Sequence, residues 1–329
     1  GATALAISPV HALFAADPAH CSPYSPSNRR FLNILHADAP AAGLGAEAAA
    51  CDALAPPISG TGSDLVDWPL VARARLAALH RLWDALAPRL TAGDDALARD
   101  YWAYLAAGGA ALEHHARFEL LHGLEFGADP ARWHWRDWPA ALRAPDGAAV
   151  GRLAGEHAHA LGFHRFAQWL AARGLAAAQA AARGAGMGIG LIADLAVGTA
   201  GGGSAAWSAP GDVFAGLSIG APPDPLAPAG QDWGLAGYNA IGLEQRNFEP
   251  FRQMLQASMR HAGAIRLDHV MGLKRLYLVP RGFGPRDGVY VPMPFEAMLA
   301  LTALESVANR CVVIGEDLGT VPEGFRDRT

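Results

Sequence analysis

Two short apolar segments of the chain end in acidic residues. Segment 264–271, AIRLDHVM, carries Asp268, and segment 311–318, CVVIGEDL, carries Glu316. Each is a run of aliphatic and β-branched residues too short for a helix, which predicts a buried strand. In a parallel barrel the carboxyl ends of the strands form the active-site face, so acids there point to chemistry carried out by carboxylates. The alternative is that they cap turns or form structural ion pairs.

The neighbours of these two acids differ in what they can do. Arg266 stands two positions before Asp268 and points to the same face of a strand, so its cation can hold Asp268 ionised at neutral pH. Asp317 alternates with Glu316 and points away from it, and we expect it to be structural. A matching design in two segments favours chemistry over turn capping.

The elements that must position these acids alternate along the chain. Predicted strands cover 4–10, 183–197, 264–271 and 311–318, and amphipathic helices cover 248–261 and 294–309. This order predicts an α/β fold with a parallel sheet and right-handed crossovers. Helical periodicity runs from 65 to 182, which is too much helix for one crossover, so we expect a helical subdomain there. The aromatic cluster 133–138 could stack on sugars or pack helices.

The amino-acid composition limits the classes of molecule that this protein is expected to bind. The chain has 329 residues, about half of them apolar, a net charge of -5 and a pI near 6.2, which favours neither nucleic acid nor an anionic membrane as a partner. Three widely spaced cysteines suggest neither a disulfide framework nor a zinc site and indicate a cytoplasmic protein. The start of the chain does not resemble a signal peptide, and no apolar run is long enough to span a membrane.

Two other sites are disfavoured. The glycines of 183–190 precede their strand, whereas those of a dinucleotide fingerprint follow it, and 198–204 lacks the Lys-Ser/Thr of a phosphate loop. A nucleotide-dependent oxidoreductase is therefore a weak alternative. The histidines at 114–115 and 157–159 lack the spacing and the carboxylate partners of a metal site, so we expect surface or packing roles.

Longer motifs around the two acids resemble a known family. Segments 265–272 (IRLDHVMG), 276–280 (LYLVP) and 313–322 (VIGEDLGTVP) are similar, in order and spacing, to those of the amylomaltases. These are the 4-α-glucanotransferases of glycoside hydrolase family 77, and the enterobacterial type is the most similar. The resemblance implies a (β/α)8 TIM-barrel type of fold with a helical insert.

The resemblance also implies catalytic roles. Asp268 is expected to be the nucleophile and Glu316 the acid/base of a retaining reaction, with Arg266 beside them. Glu316 must carry a proton when the leaving sugar departs, which predicts a less polar setting or a neighbouring negative charge. His269 is expected to bind a sugar hydroxyl near the cleavage point, or else to pack. No cofactor and no metal are implied.

Substrate contacts follow from the same resemblance. The loop 218–234 resembles the family's loop over the cleft, although the prolines that the family has after it are missing here at 235–240. The expected substrate-binding residues are Tyr24, Asp194, Trp207, Asp224, Gln231, Trp233 and His269.

The resemblance implies a division of the chain into three segments and an activity on glucans. Residues 1–64 are expected to form a barrel segment with a substrate loop, 65–182 the helical insert, and 183–329 barrel strands three to five with the cleft-covering loop. We expect transfer of α-1,4-glucan segments between malto-oligosaccharides, with unknown protein partners. The family's first strand and its third acid, on the seventh strand, have no counterpart, so we expect a catalytically incomplete fragment. A hydrolytic α-amylase-type enzyme and a silent glucan-binding domain are the alternatives.

Overall fold

The structure is a computed structural model that describes residues 1–53, 65–225 and 227–329. The domain boundary expected at residue 64 lies outside these ranges.

Eleven strands occur in the described ranges. They are β1 (Ala4–Ala6), β2 (His11–Ala12), β3 (Asn28–Leu32), β4 (Gly190–Leu195), β5 (Thr199–Ala200), β6 (Leu217–Ala221), β7 (Gln231–Ala236), β8 (Ala264–Leu267), β9 (Arg275–Pro280), β10 (Val289–Pro292) and β11 (Val312–Gly315).

Nine α-helices and seven short 3-10 helices accompany these strands in the same ranges. The α-helices are α1 (Gly45–Ala50), α2 (Trp68–Ala92), α3 (Ala96–Ala128), α4 (Ala148–Glu156), α5 (Ala158–Gly184), α6 (Ser204–Ser208), α7 (Ala240–Gln245), α8 (Glu249–Met259) and α9 (Phe295–Asn309). The 3-10 helices are Ile34–His36, Pro130–Arg132, Trp135–Asp137, Ala140–Leu142, Pro210–Asp212, Val270–Leu273 and Pro285–Asp287.

By its internal contacts the chain divides into two compact units. The first comprises 1–11, 22–30 and 179–329, and the second comprises 12–21 and 31–178. The three-part division expected from the sequence stays a prediction.

The first unit is built on a parallel sheet of four strands in the order β1-β4-β8-β11. Asp194 pairs with Arg266 in register, and Arg266 pairs with Ile314. The carboxyl ends of β4, β8 and β11 therefore lie side by side at one edge of the sheet. The α/β fold with a parallel sheet is confirmed, and within the described residues this sheet stays open rather than closing into a barrel. Strand β8 is one of the two inner strands of this sheet, and its Ala264 and Ile265 are fully buried.

A second sheet in this unit is antiparallel, in the order β10-β9-β6-β7-β5. It contains two hairpins: β6 and β7 flank the loop 222–230, and β9 and β10 flank the turn 281–288. Helices α8 and α9 precede β8 and β11, as the sequence predicts. Their buried side chains include Leu255 and Met298, which join the same core as Leu267.

The second unit is helical, and its interior combines alanine and leucine side chains with several aromatic residues. Helix α2 begins where the Asp67 side chain accepts from the Leu70 N–H, and it ends at Gly93, whose φ of 79° needs a glycine. Trp138, in the cluster that could have stacked on sugars, is fully buried and packs at 5.5 Å from Phe118, which favours packing. His115 is buried and stacks on Phe31.

No helix in the described ranges combines the length and the apolar character that crossing a bilayer would require.

Candidate active site

The site is organised around the guanidinium of Arg266, near the end of β8. Its Nη1 donates to Asp194 Oδ1 at 2.7 Å, and its Nη2 donates to Asp268 Oδ1 at 2.9 Å. The same Nη2 lies 3.8 Å from Glu316 Oε2. The pKa of Arg266 is raised because these hydrogen bonds and charges outweigh burial, which acts to lower it. One cation thus lies next to acids that come from, or directly follow, three adjacent strands. This arrangement depends on the register of the sheet, because the register sets which strand-end residues are neighbours.

Strand β8 ends at Leu267, so Asp268 and His269 lie in a turn rather than on the strand. His269 adopts a left-handed conformation, with φ 50° and ψ 58°, and starts the 3-10 helix Val270–Leu273. Strand alternation, which would turn His269 away from Asp268, therefore does not apply. Both residues line the same cavity.

Asp268 is half-buried, and its burial raises the pKa of its carboxyl above the usual value of 3.8. The charge and hydrogen bond of Arg266 act in the opposite direction, while Asp194 and Glu316 add to the rise. Arg266 therefore favours the ionised form as expected, but it does not bring the pKa of Asp268 below its ordinary value.

Glu316 is held by backbone groups. Its Oε1 accepts the N–H of Leu318 at 2.7 Å, and its Oε2 accepts the N–H of His269 at 2.9 Å. Both oxygens accept hydrogen bonds and a cation lies nearby, so of the two settings expected for an acid catalyst the structure offers the neighbouring negative charge, that of Asp268, rather than the less polar environment. These contacts do fix the direction in which the carboxyl points.

Tyr24 joins the cluster from a distant part of the chain. Its hydroxyl donates to Asp194 Oδ2 at 2.8 Å, across 170 positions of sequence. Burial, and then the hydrogen bond to Asp194, raise the pKa of Tyr24, so it keeps its proton as a donor. Tyr24 is 40% exposed and can still meet a ligand.

A cavity of about 460 Å³ opens in front of this cluster. It is lined by Ser22, Tyr24, Ser25, Val197, Trp233, Leu235, Asp268, His269, Glu316 and Leu318. Half of these residues were expected from the sequence. Ser22 and Ser25 stand close to Tyr24 in the sequence and Leu318 stands close to Glu316, and this proximity is the signal that points to them. Val197 lies two residues after β4 and Leu235 near the end of β7, and nothing in the sequence marks either residue as part of a cavity.

Trp233 and His269 form one wall of the cavity. Their rings meet edge to face, 5.4 Å apart between centroids. Trp233 is oriented in turn by Gln231, whose Oε1 accepts the indole N–H at 3.0 Å. Burial lowers the pKa of His269 while Glu316 acts to raise it, so the ring is mainly neutral at pH 7.

Two expected substrate contacts are placed elsewhere. Trp207 is fully buried in α6, so a direct contact between its ring and a substrate is not available in this structure. Asp224 is exposed in the loop 222–230, and its Oδ1 accepts the N–H of Ala227 at 2.7 Å, which shapes the turn. Asp317 bonds to Arg326 at the surface, as expected of a structural residue.

Among the residues that the structure describes, no group of three or more His, Cys, Asp or Glu side chains could hold a metal ion. The chemistry available at the cavity is that of two carboxyl groups, one cation, one phenol and one imidazole.

The fold and this carboxylate-lined cavity define a barrel-type α/β protein with its site at the carboxyl ends of the strands. A family model described as 4-alpha-glucanotransferase, glycoside hydrolase family 77, matches residues 1–329. The chain belongs to that family.

Relatives and solved structures agree with this assignment. A 4-alpha-glucanotransferase of Haemophilus influenzae is 36% identical over 99% of this chain and 48% of its own length, and one of Mycobacterium bovis is 36% identical over 99% and 45%. The amylomaltase of Corynebacterium glutamicum superposes with a TM-score of 0.77 at 29% identity, covering 99% of this chain and 44% of its own.

An amylomaltase of Streptococcus agalactiae, solved in complex with acarbose, superposes with a TM-score of 0.81 at 17% identity. The match covers 99% of this chain and 63% of that chain, and at this identity it supports the fold alone. The chain spans about half the length of the curated relatives that it matches.

Proposed function

We propose that this chain carries the catalytic pair of a 4-α-glucanotransferase, which moves α-1,4-glucan segments between malto-oligosaccharides. The observation that carries this proposal is the placement of Asp268 and Glu316 within 3.8 Å of the same Arg266 nitrogen, at the edge of an open cavity. Retaining glycosidases hold their two carboxyl groups about 5–5.5 Å apart, and two acids sharing one cation are compatible with that separation.

The reaction has two displacements. In the first, an oxygen of ionised Asp268 attacks the anomeric carbon while the glycosidic carbon–oxygen bond breaks, and Glu316 gives its proton to the departing 4-oxygen. In the second, Glu316 removes the proton from the 4-hydroxyl of an acceptor sugar. That oxygen then displaces Asp268 from the anomeric carbon.

The remaining cluster residues support these steps. Arg266 orients Asp268 and is itself held by Asp194, which Tyr24 also contacts. Tyr24 and Trp233 offer aromatic surface at the cavity, which suits the apolar faces of sugar rings. His269 presents a largely neutral imidazole that can hydrogen-bond a sugar hydroxyl.

Transfer rather than hydrolysis requires that an acceptor sugar, and not water, reaches the intermediate. The apolar side chains Val197, Leu235 and Leu318 in the cavity wall favour this outcome. A hydrolytic α-amylase-type reaction and glucan binding without turnover are the alternatives that an assay separates.

The decisive experiment follows maltotriose incubated with the polypeptide. Glucose together with longer maltodextrins would indicate transfer, glucose and maltose alone would indicate hydrolysis, and binding without products would indicate a silent domain. An activated fluoro-glucosyl donor should leave an adduct on the peptide that contains Asp268, and Asp268→Asn should abolish it. Asp317→Asn is the control, because that acid bonds to Arg326 at the surface. An adduct on another residue would refute the assignment.

We also propose that the protein works in the cytoplasm. Cys21, Cys51 and Cys311 are unpaired thiols, which is typical of proteins in a reducing compartment. No nucleic acid or membrane partner is proposed, given the net charge of -5.

A further inference from the structure

The hairpin formed by β9 and β10 contacts both the loop 222–230 and the segment that follows Glu316. Strand β9 pairs with β6 in register, with Ile219 opposite Leu278. The hairpin is therefore part of the same sheet as the strands that flank the loop, and it cannot shift independently of them.

At its turn the hairpin touches the loop directly. Arg286 Nη2 donates to the carbonyl oxygen of Pro228 at 2.9 Å. Gly230 packs so closely on Pro285 that an added Cβ would clash with the proline ring, and its φ of 75° also favours glycine. Pro285 is held from behind by the hydroxyl of Tyr277, which donates to its carbonyl oxygen at 2.7 Å.

At the other end the hairpin reaches the segment after Glu316. The Arg275 guanidinium stacks over the Tyr290 ring with its carbon 3.9 Å from the centroid, and its Nη2 donates to the carbonyl oxygen of Thr320 at 3.2 Å. Tyr290 meets Tyr277 edge to face at 5.1 Å. The two aromatic rings thus connect Arg275 at one end to Pro285 at the other.

The hydrogen bonds around Ala227 lie within the loop itself, so they do not attach it to the rest of the unit. In its described part, Asp224 and Gly230 both donate their N–H groups to the carbonyl oxygen of Ala227. The loop leads straight into β7, which carries Trp233 on the cavity wall and also Gln231, whose Oε1 accepts the indole N–H of Trp233. A shift of the loop would therefore move the aromatic wall relative to Glu316.

We propose that the β9–β10 hairpin is a positioning element that holds the loop 222–230 at a set distance from the Glu316 segment, with Arg286 and Arg275 as its two attachment points. This inference rests on the proposed function in one respect, namely that the ligand is a malto-oligosaccharide. The cavity of about 460 Å³ lies toward the small end of ligand sites, which span about 300–1,000 Å³. A long glucan cannot fit within it, so some of its sugar units must contact surface outside the cavity, and the loop joins the cavity wall at the strand that carries Trp233. The hairpin therefore determines affinity for long glucans more than for short ones.

Two substitutions and a matched control test this proposal. Arg286→Ala and Arg275→Ala each remove one attachment point. Arg281→Ala removes an exposed arginine of the same hairpin whose side chain makes no hydrogen bond or ion pair within the described ranges. Arg286→Lys can still donate to the Pro228 carbonyl, and it should restore the original behaviour.

The first readout needs no sugar. Hydrogen exchange of peptides spanning 222–234 should become at least about fivefold faster in both alanine variants and stay unchanged in Arg281→Ala. Unchanged exchange in Arg286→Ala and Arg275→Ala would overturn the proposal.

The second readout is calorimetric binding of maltoheptaose and maltotriose. Both alanine variants should bind maltoheptaose about three- to tenfold more weakly, with maltotriose affinity changed less than twofold. Equal losses for the two sugars would mean a merely structural role and would overturn the length selectivity. If the unchanged protein binds neither sugar, the proposed function fails and length selectivity fails with it, whereas the exchange data still decide whether the hairpin holds the loop.

Discussion

Asp194 and Arg266 face each other across the β4–β8 strand pair and are joined by a hydrogen bond of 2.7 Å. Because Asp194 holds one arm of the guanidinium, the other arm is aimed at Asp268 before any ligand arrives. A cation fixed in this way loses little conformational entropy when it acts on the nucleophile. The sheet register is therefore part of the chemistry of the site.

Replacing Arg266 should change the pH dependence of the nucleophile. Burial already raises the pKa of Asp268, and Arg266 acts to lower it, so Arg266→Ala should raise that pKa further. Attack requires the ionised carboxylate, which is present above the pKa. The acidic limb of the rate of adduct formation on Asp268 should therefore move to higher pH.

The control for this experiment is Arg326→Ala, at an exposed arginine that pairs with Asp317. Its pH profile should match that of the unchanged protein. An acidic limb that moves to lower pH in Arg266→Ala would contradict the assigned electrostatics.

Removing the hydroxyl of Tyr24 should weaken ligand binding modestly. Tyr24→Phe keeps the ring but loses the hydrogen bond to Asp194, which fixes the ring at the cavity and contributes about 0.5–1.5 kcal/mol to the stability of the protein. Tyr24→Ala removes the ring as well and should cost more. Titration with maltotriose measures both variants. Identical losses in the two would show that the ring makes no contact with the sugar.

Trp207 and Trp233 should respond in opposite ways to replacement by Phe. Trp207 is fully buried, so Trp207→Phe should lower the free energy of unfolding by about 1–3 kcal/mol and leave sugar affinity unchanged. Trp233 lines the cavity, so Trp233→Phe should lower sugar affinity with little effect on stability. Denaturant unfolding and calorimetric titration of each variant check the pair. A loss of sugar affinity in a stable Trp207→Phe protein would restore its expected role as a substrate contact.

A buried acid in the helical unit should make a contribution to stability that falls as the pH rises from about 4.5 to 8. Burial raises the pKa of Glu119 to about 8, and only the N–H of Ala15 opposes this. The unfolded chain releases this proton near the ordinary value of 4.5, so between pH 4.5 and 8 the folded state binds more protons and stability decreases as pH rises.

The variant Glu119→Gln keeps the shape of the side chain without the ionisation. Between pH 4.5 and 8 its free energy of unfolding should fall less, or rise more, with pH than that of the unchanged protein, to whose slope this group contributes at most about -1.4 kcal/mol per pH unit. Glu156→Gln, at an exposed position of α4, is the control and should preserve the slope. Equal slopes in Glu119→Gln and the unchanged protein would contradict this prediction.

Much of the architecture could be read from local pattern. The apolar runs before Asp268 and Glu316 are strands, the helices before them occupy nearly the expected ranges, and the parallel order follows from the alternation. These predictions succeed because strand and helix formation depend on residues that are close in sequence. The family motifs lie in the same segments, so the family was also readable.

Local sequence pattern failed to predict the structure where a special backbone conformation, or a residue distant in sequence, determines the position of a side chain. The left-handed turn at His269 ends the strand early, and the backbone N–H of His269 then donates a hydrogen bond to Glu316. A strand pattern contains no sign of that turn, because histidine is not a residue that requires it.

By itself the sequence determined which elements form and that their acids stand at strand ends, because periodicity and residue type act over short stretches of chain. Only the tertiary structure decided which side chains share the cavity: it brought Tyr24 to Asp194, placed Leu318 beside Glu316 and buried Trp207. The physical reason is that burial and hydrogen bonding here join residues up to 170 positions apart, and their meeting depends on the packing of the whole sheet.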